Sequence, residues 1–200
     1  MKRNSATKLI IAILILSMAF SFISCGKKPI VKIAEMPLEE LEKCISLSQY
    51  KDLTVTLGSK TKGEAIVDYI CKNSIVKKYP NGTVDYYFEQ LKDQYHYYAD
   101  EMDIPYEVML DELGEDNVTM KAASRELVKK DMVLELIRRK EGIDLTEEEK
   151  ASFFDKYVKK FAESYKFSEE YVRENLPNLV YQSMLHDKTV EFLIVHNNFA

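Results

Sequence analysis

Three kinds of side chain in this sequence could do chemistry, and their spacing decides how far each gets. His96, His186 and His196 are the only histidines. No two stand four apart on a helix or in a His-Glu-x-x-His setting, the arrangements that aim two imidazoles at one zinc ion, so no metal is expected. The cysteines are Cys25, Cys44 and Cys71. They form no Cys-x-x-Cys pair, and Cys44 and Cys71 are open to two readings, a disulfide or two thiols with Cys71 partly buried, because sequence does not place their Cα atoms. Carboxylates are plentiful, as in Glu147 to Glu149, but these fall at a helix start, where the dipole favours negative charge and a solvated turn accounts for them. With six glycines and no Gly-x-Ser-x-Gly elbow, phosphate-cradling loop or dinucleotide fingerprint, neither an enzyme nor a cofactor is expected.

Contact chemistry is the stronger signal. The chain holds 13 Tyr, no Trp and 8 Met. Tyr86, Tyr87, Phe88, Tyr95, Tyr97 and Tyr98 crowd one helical stretch whose inward stripe (Val84, Tyr87, Phe88, Leu91, Tyr95, Tyr98, Met102) leaves Tyr86, Gln90, Asp93 and Tyr97 on a second face. Two readings stay open. Tyr86 and Tyr97 either pack beside the core or form an amphipathic contact surface, since tyrosine offers apolar area at low entropic cost and keeps a polar tip in water. Met102, Met109, Met120, Met132 and Met184 add adaptable side chains, most of them core positions. The candidate client-contact residues are Tyr86, Tyr97, Tyr98, Met102 and Met109.

Lys2, Arg3 and Lys8 precede an apolar run from Leu9 to Ser24, the order of a secretory leader. Its apolar core, Leu9 to Ile23, is shorter than the roughly 20 residues of a spanning helix. Phe22-Ile23-Ser24-Cys25-Gly26 resembles the bacterial lipobox, with Phe22 where Leu is usual. The resemblance implies acylation of the Cys25 thiol and cleavage before it, making Cys25 the mature N-terminus; a conventionally cleaved secreted protein and an uncleaved anchor are the alternatives. Loss of residues 1–24 removes three bases and no acid, taking the formal charge from −5 to −8. So acidic a chain is a poor nucleic-acid binder and has no basic patch for anionic lipid, which leaves anchoring to the acyl chains.

The elements that must position these groups read in order. Residues 25–49 form a lipidated tether with Pro29, Pro37 and a short acidic helix-like piece. Residues 50–58 hold one short strand, Leu53, Val55 and Leu57 alternating with threonines. From 62 to 200 the spacing is helical, so the fold class is all-α with one short N-terminal strand. One helix covers about Lys62 to Lys77, with Ile66, Tyr69, Ile70 and Ser74 on one face. A second is capped by Thr83, and a short piece covers about Tyr106 to Leu113, started by Pro105 and closed by Gly114. The longest begins at Asn117 or Thr119, with Met120, Ala123, Leu127, Leu134 and Ile137 as its stripe, widened by Val128, Val133 and Leu136. Thr146 and Glu149 form a capping box before Ala151, Phe154, Val158, Phe161 and Tyr165. Ser168 caps a short helix to about Asn175, and Pro177 opens the last, with Leu179, Val180, Met184, Val190 and Leu193 inward.

"IVDYICKNSIVKKYP" at 66–80, "LVKKDMVLELIRRKEGIDLTEEE" at 127–149, "KFSEEYVRENL" at 166–176 and "DKTVEFLIVHN" at 187–197, in that order, resemble the carboxy-terminal chaperone domain of trigger factor, related to SurA-type periplasmic chaperones. "YKDLTV" at 50–55 resembles the strand that precedes the family's prolyl isomerase domain. The resemblance implies a helical, ATP-independent holding chaperone for unfolded or secreted polypeptides. Too few residues separate Val55 from the first helix for an isomerase, and no Phe-Arg pair stands for the ribosome-docking motif, so neither isomerase activity nor a ribosome partner is expected. The expected protein is membrane-anchored and extracytoplasmic. The rival expectation is a lipoprotein module that binds one envelope partner on the same scaffold.

Overall fold

The computed structural model describes residues 32–165 and 167–200; the leader and Cys25 lie outside the described residues. The chain is mostly helical. Among the described residues the helices are α1 (Leu38–Cys44), α2 (Lys62–Asn73), α3 (Thr83–Glu101), α4 (Tyr106–Leu113), α5 (Asn117–Lys140), α6 (Glu147–Tyr165), α7 (Glu169–Asn175) and α8 (Pro177–Val195). Four two-residue strands accompany them: β1 (Ile45–Ser46), β2 (Thr54–Val55), β3 (Ile75–Val76) and β4 (Asn198–Phe199).

Local chemistry sets most helix ends. Thr61 and Glu64 close a capping box on α2, and Thr146 and Glu149 do the same on α6, each side chain taking the other's backbone N–H at 3.1 and 2.8 Å. Ser168 Oγ accepts from the Tyr171 N–H to start α7. Pro177 occupies the first turn of α8, where its missing N–H has no partner to lose. Gly114, at φ 68°, closes α4 in the left-handed conformation.

The chain divides into two compact units. Unit 1 comprises residues 32–36 and Lys78–Asp131, hence α3, α4 and the first part of α5. Unit 2 comprises Pro37–Lys77 and Met132–Ala200. In unit 2, α2 packs on α8, and α6 packs on both α7 and α8. Gly63 permits the α2–α8 approach, since a Cβ there would stand 2.9 Å from Val190 Cγ1. β1 pairs antiparallel with β3 (Ile45 opposite Val76), and β2 pairs parallel with β4 (Thr54 opposite Asn198, Val55 opposite Phe199). Leu41, Ile45, Ile66, Ile70, Leu136, Ile137, Val158, Val180 and Leu193 are buried.

Several expectations change. The tether expected over 25–49 gives way to folded chain from Leu38 onward, because Leu41, Cys44 and Ile45 are all but fully buried. Cys44 is buried and Cys71 half-buried, both as thiols rather than as a disulfide. The helix expected to reach Lys77 stops at Asn73, where Ser74 turns to extended backbone and the β-branched pair Ile75-Val76 joins β1. Tyr69, expected inward, is exposed. Thr83 is not the cap of α3: Gly82, at φ 77°, holds that position, and the Thr83 hydroxyl donates to the Pro80 carbonyl at 2.8 Å. On α5 the inward position is Ser124 rather than Ala123, its hydroxyl satisfied by the Met120 carbonyl at 2.7 Å. The single strand expected across 50–58 is two residues long, and β4 closes it from the far end of the chain.

Candidate functional site

Unit 1 has a core of its own. Leu91, Tyr95 and Ala99, four apart along α3, pack with Met109 of α4 and Met120 of α5, and Phe88, Tyr98, Ile104, Leu110 and Leu127 close around them. Burial pushes the Tyr95 hydroxyl up to about 12, since a phenolate would lose its hydration there. Tyr106 stacks on His96 at 3.8 Å between ring centroids and points its hydroxyl at the Met120 sulfur, 3.9 Å away. Two polar links join α3 to α5: Tyr87 donates to Asp131, and Lys121 bonds Asp85 while lying 5.6 Å over the Phe88 ring.

The five sequence-derived contact residues separate on this frame. Met109, a candidate for client contact, is 2% exposed and belongs to the core, because the short turn at Asp103 and Ile104 folds α4 back so that this face meets α3. Tyr98 is half-buried at the core's edge, its ring edge-on to Tyr97 at 5.5 Å. Tyr86 is half-buried, edge-on to Tyr87 at 5.8 Å. Tyr97 and Met102 point outward, 46% and 49% exposed. The structure adds Val108 on α4 and Val118 at the start of α5, 44% and 75% exposed. The four outward residues occupy the end of α3, α4 and the first turn of α5, elements that the Tyr95, Ala99, Met109 and Met120 core holds together. Val108 and Val118 escaped the reading of helical stripes because neither belongs to a tyrosine- or methionine-rich run. Their visible signal is charge: from Asp93 to Met120 the sequence has nine Asp and Glu and not one Lys or Arg.

Unit 2 contains one tight polar cluster. Tyr157 donates to Asp187 at 2.8 Å, and His186 Nδ1 and Lys160 Nζ lie 3.3 and 3.5 Å from the same carboxylate. Burial alone would raise the Asp187 carboxyl, but the His186 and Tyr157 hydrogen bonds and the Lys160 charge outweigh it and hold it below its ordinary value. The cluster ties α6 to α8. Among the described residues no group of three or more His, Cys, Asp or Glu could hold a metal ion, and no helix is long and apolar enough to cross a membrane.

Compared with protein-family models, with curated proteins and with solved structures, the chain matches none.

Proposed function

We propose that this protein is a lipid-anchored, extracytoplasmic holding chaperone of the trigger factor and SurA type. It acts without ATP or isomerase activity and binds unfolded or secreted polypeptides near the membrane. One observation supports it most: unit 1 completes a core with part of its aromatic and Met content and leaves Tyr97, Met102, Val108 and Val118 outward at one end. Water-exposed apolar side chains gathered on a folded unit offer cover to an apolar segment of another chain. At about 25 cal/mol per Å², some 200 Å² of contact would contribute roughly 5 kcal/mol before the cost of ordering the client. So weak a grip releases readily and gains strength by repetition along a client. Cys25 is the proposed anchor, and mass spectrometry of membrane-extracted protein tests it through a diacylated Cys25 at the N-terminus.

A second reading has a specific observation in its favour. Tyr95 and Met109 are absorbed by the core, and Tyr86 and Tyr98 are half-buried, which shrinks the surface left for general holding and suits a module for one envelope partner. Light scattering separates the two. A chemically unfolded client is diluted into buffer containing the full chain in nanodiscs, with empty nanodiscs as control. Suppression across unrelated clients that weakens in Tyr97→Ser/Met102→Ser supports holding. No suppression with any client refutes holding in favour of the dedicated module.

A further inference from the structure

The charge around the outward residues of unit 1 is one-sided. Nine acids fall between Lys92 and Lys121 with no Lys or Arg among them, and His96 is the stretch's one further nitrogen base. Asp116 serves the fold, because its carboxylate accepts the Thr119 and Val118 N–H groups at 2.8 Å each and so caps α5, which holds it below the ordinary carboxylate range. Others are placed against the helix they sit on. Asp100 and Glu101 lie in the last turn of α3, and Asp111 and Glu112 in that of α4, and neither helix has a base there. That is the end of a helix where the backbone dipole disfavours negative charge. By contrast, Lys43 ends α1, Lys72 ends α2, Arg138, Arg139 and Lys140 end α5, and Arg173 ends α7. Acids are therefore concentrated where they oppose local stability, beside the four apolar side chains that face water.

We propose that this end of unit 1 docks a cationic amphipathic polypeptide segment, with Lys or Arg beside an apolar stripe. The apolar residues settle on Tyr97, Met102, Val108 and Val118, while the bases are drawn to the acids of α3 and α4. The proposal rests on the holding reading for the place of contact and adds the class of client. An apolar surface alone takes any unfolded segment of suitable size; ringed by negative charge, it rejects acidic segments, anionic headgroups and a second copy of its own acidic face. Attraction of this kind acts on encounter and on choice of partner, and it fades as salt shortens the range of the field.

Two fluorescent peptides with identical leucine spacing test it, one with lysine on its polar face and one with glutamate. Their anisotropy is followed with the full chain in zwitterionic nanodiscs, wild type and Asp100→Asn/Glu101→Gln/Glu107→Gln. The lysine peptide should bind wild type at least about 10-fold more tightly at low ionic strength, with the gap closing as salt is added. The triple variant should lose most of that preference while its thermal midpoint rises, an outcome that damage to the fold would not produce. Equal binding of the two peptides, or a preference that survives in the triple variant, overturns the proposal. The salt titration of wild type reads the same point independently of any variant. If unfolded clients are held but the peptides bind equally, cationic selection falls and holding stands; if nothing is held and neither peptide binds, both fall. Sedimentation showing self-association that excludes the peptide would assign the surface to a second copy and overturn the proposal.

Discussion

Met102 and Met109 stand seven residues apart with opposite surroundings, one 49% and the other 2% exposed. Replacing each by alanine should therefore have opposite consequences. Met109 fills the space among Leu91, Tyr95, Ala99 and Met120. Its truncation loses the transfer energy of the side chain and leaves a cavity, at a cost of about 2 to 5 kcal/mol. A small unit has stability of that order, about 0.05 to 0.15 kcal/mol per residue, so Met109→Ala should open unit 1 while unit 2 keeps its structure. Met102 has no such space to vacate, and its truncation should change stability by no more than about 0.5 kcal/mol. Hydrogen exchange read by mass spectrometry on peptides from α3, α4, α6 and α8 distinguishes the cases. Met109→Ala should accelerate exchange in α3 and α4 and spare α6 and α8. Met102→Ala should leave all four protected yet weaken aggregation suppression. The reasoning is refuted if the two variants lose protection equally, or if Met109→Ala leaves α3 as protected as wild type.

Three further outcomes are expected. Gly63→Ala places a Cβ 2.9 Å from Val190 Cγ1; the overpacking cost of about 1 to 3 kcal/mol outweighs the roughly 1 kcal/mol of helix propensity gained, so urea unfolding should show a net loss that Val190→Ala relieves in a double-mutant cycle. Hydrogen bonds from Lys51 and then Tyr50 hold Glu141 below its ordinary 4.5, while burial, then Glu141, push Tyr50 up to about 12. A lowered carboxylate stabilises above its unfolded value and fades as pH falls through its folded one, and a raised phenol stabilises below its ordinary 10 and fades toward 12. Glu141→Gln should therefore cost stability between about pH 4.5 and 10 and approach wild type in acid, as read by urea titration across that range. Asp100→Asn and Glu101→Gln should each raise the midpoint of unit 1, by about 0.3 to 1 kcal/mol at low salt, and a fall in either would show that these acids serve the fold.

Elements with chemistry in their own first or last turn were legible from residues alone. Thr146 with Glu149, Ser168, Pro177, and Pro105 with Gly114 mark the ends where the helices begin or stop, since a cap is satisfied by neighbours three residues away. Spacing along α3 likewise placed Leu91 and Tyr95 inward. The contact surface was half legible, because spacing assigns residues to a face and says nothing about what covers it. Met102 and Met109 are the same side chain in similar surroundings of sequence, and only the fold-back of α4 buries one of them. Leu41 and Cys44 had the look of a tether until β1 found β3. Val55 and Phe199, paired in one ladder, leave no trace of each other in the chain between them. By itself, then, the sequence determined the helical class, the helix ends and an aromatic surplus, because these depend on residues within a turn or two. Tertiary structure decided which aromatic and Met side chains remained for a partner, because burial depends on whichever distant segment arrives to exclude water.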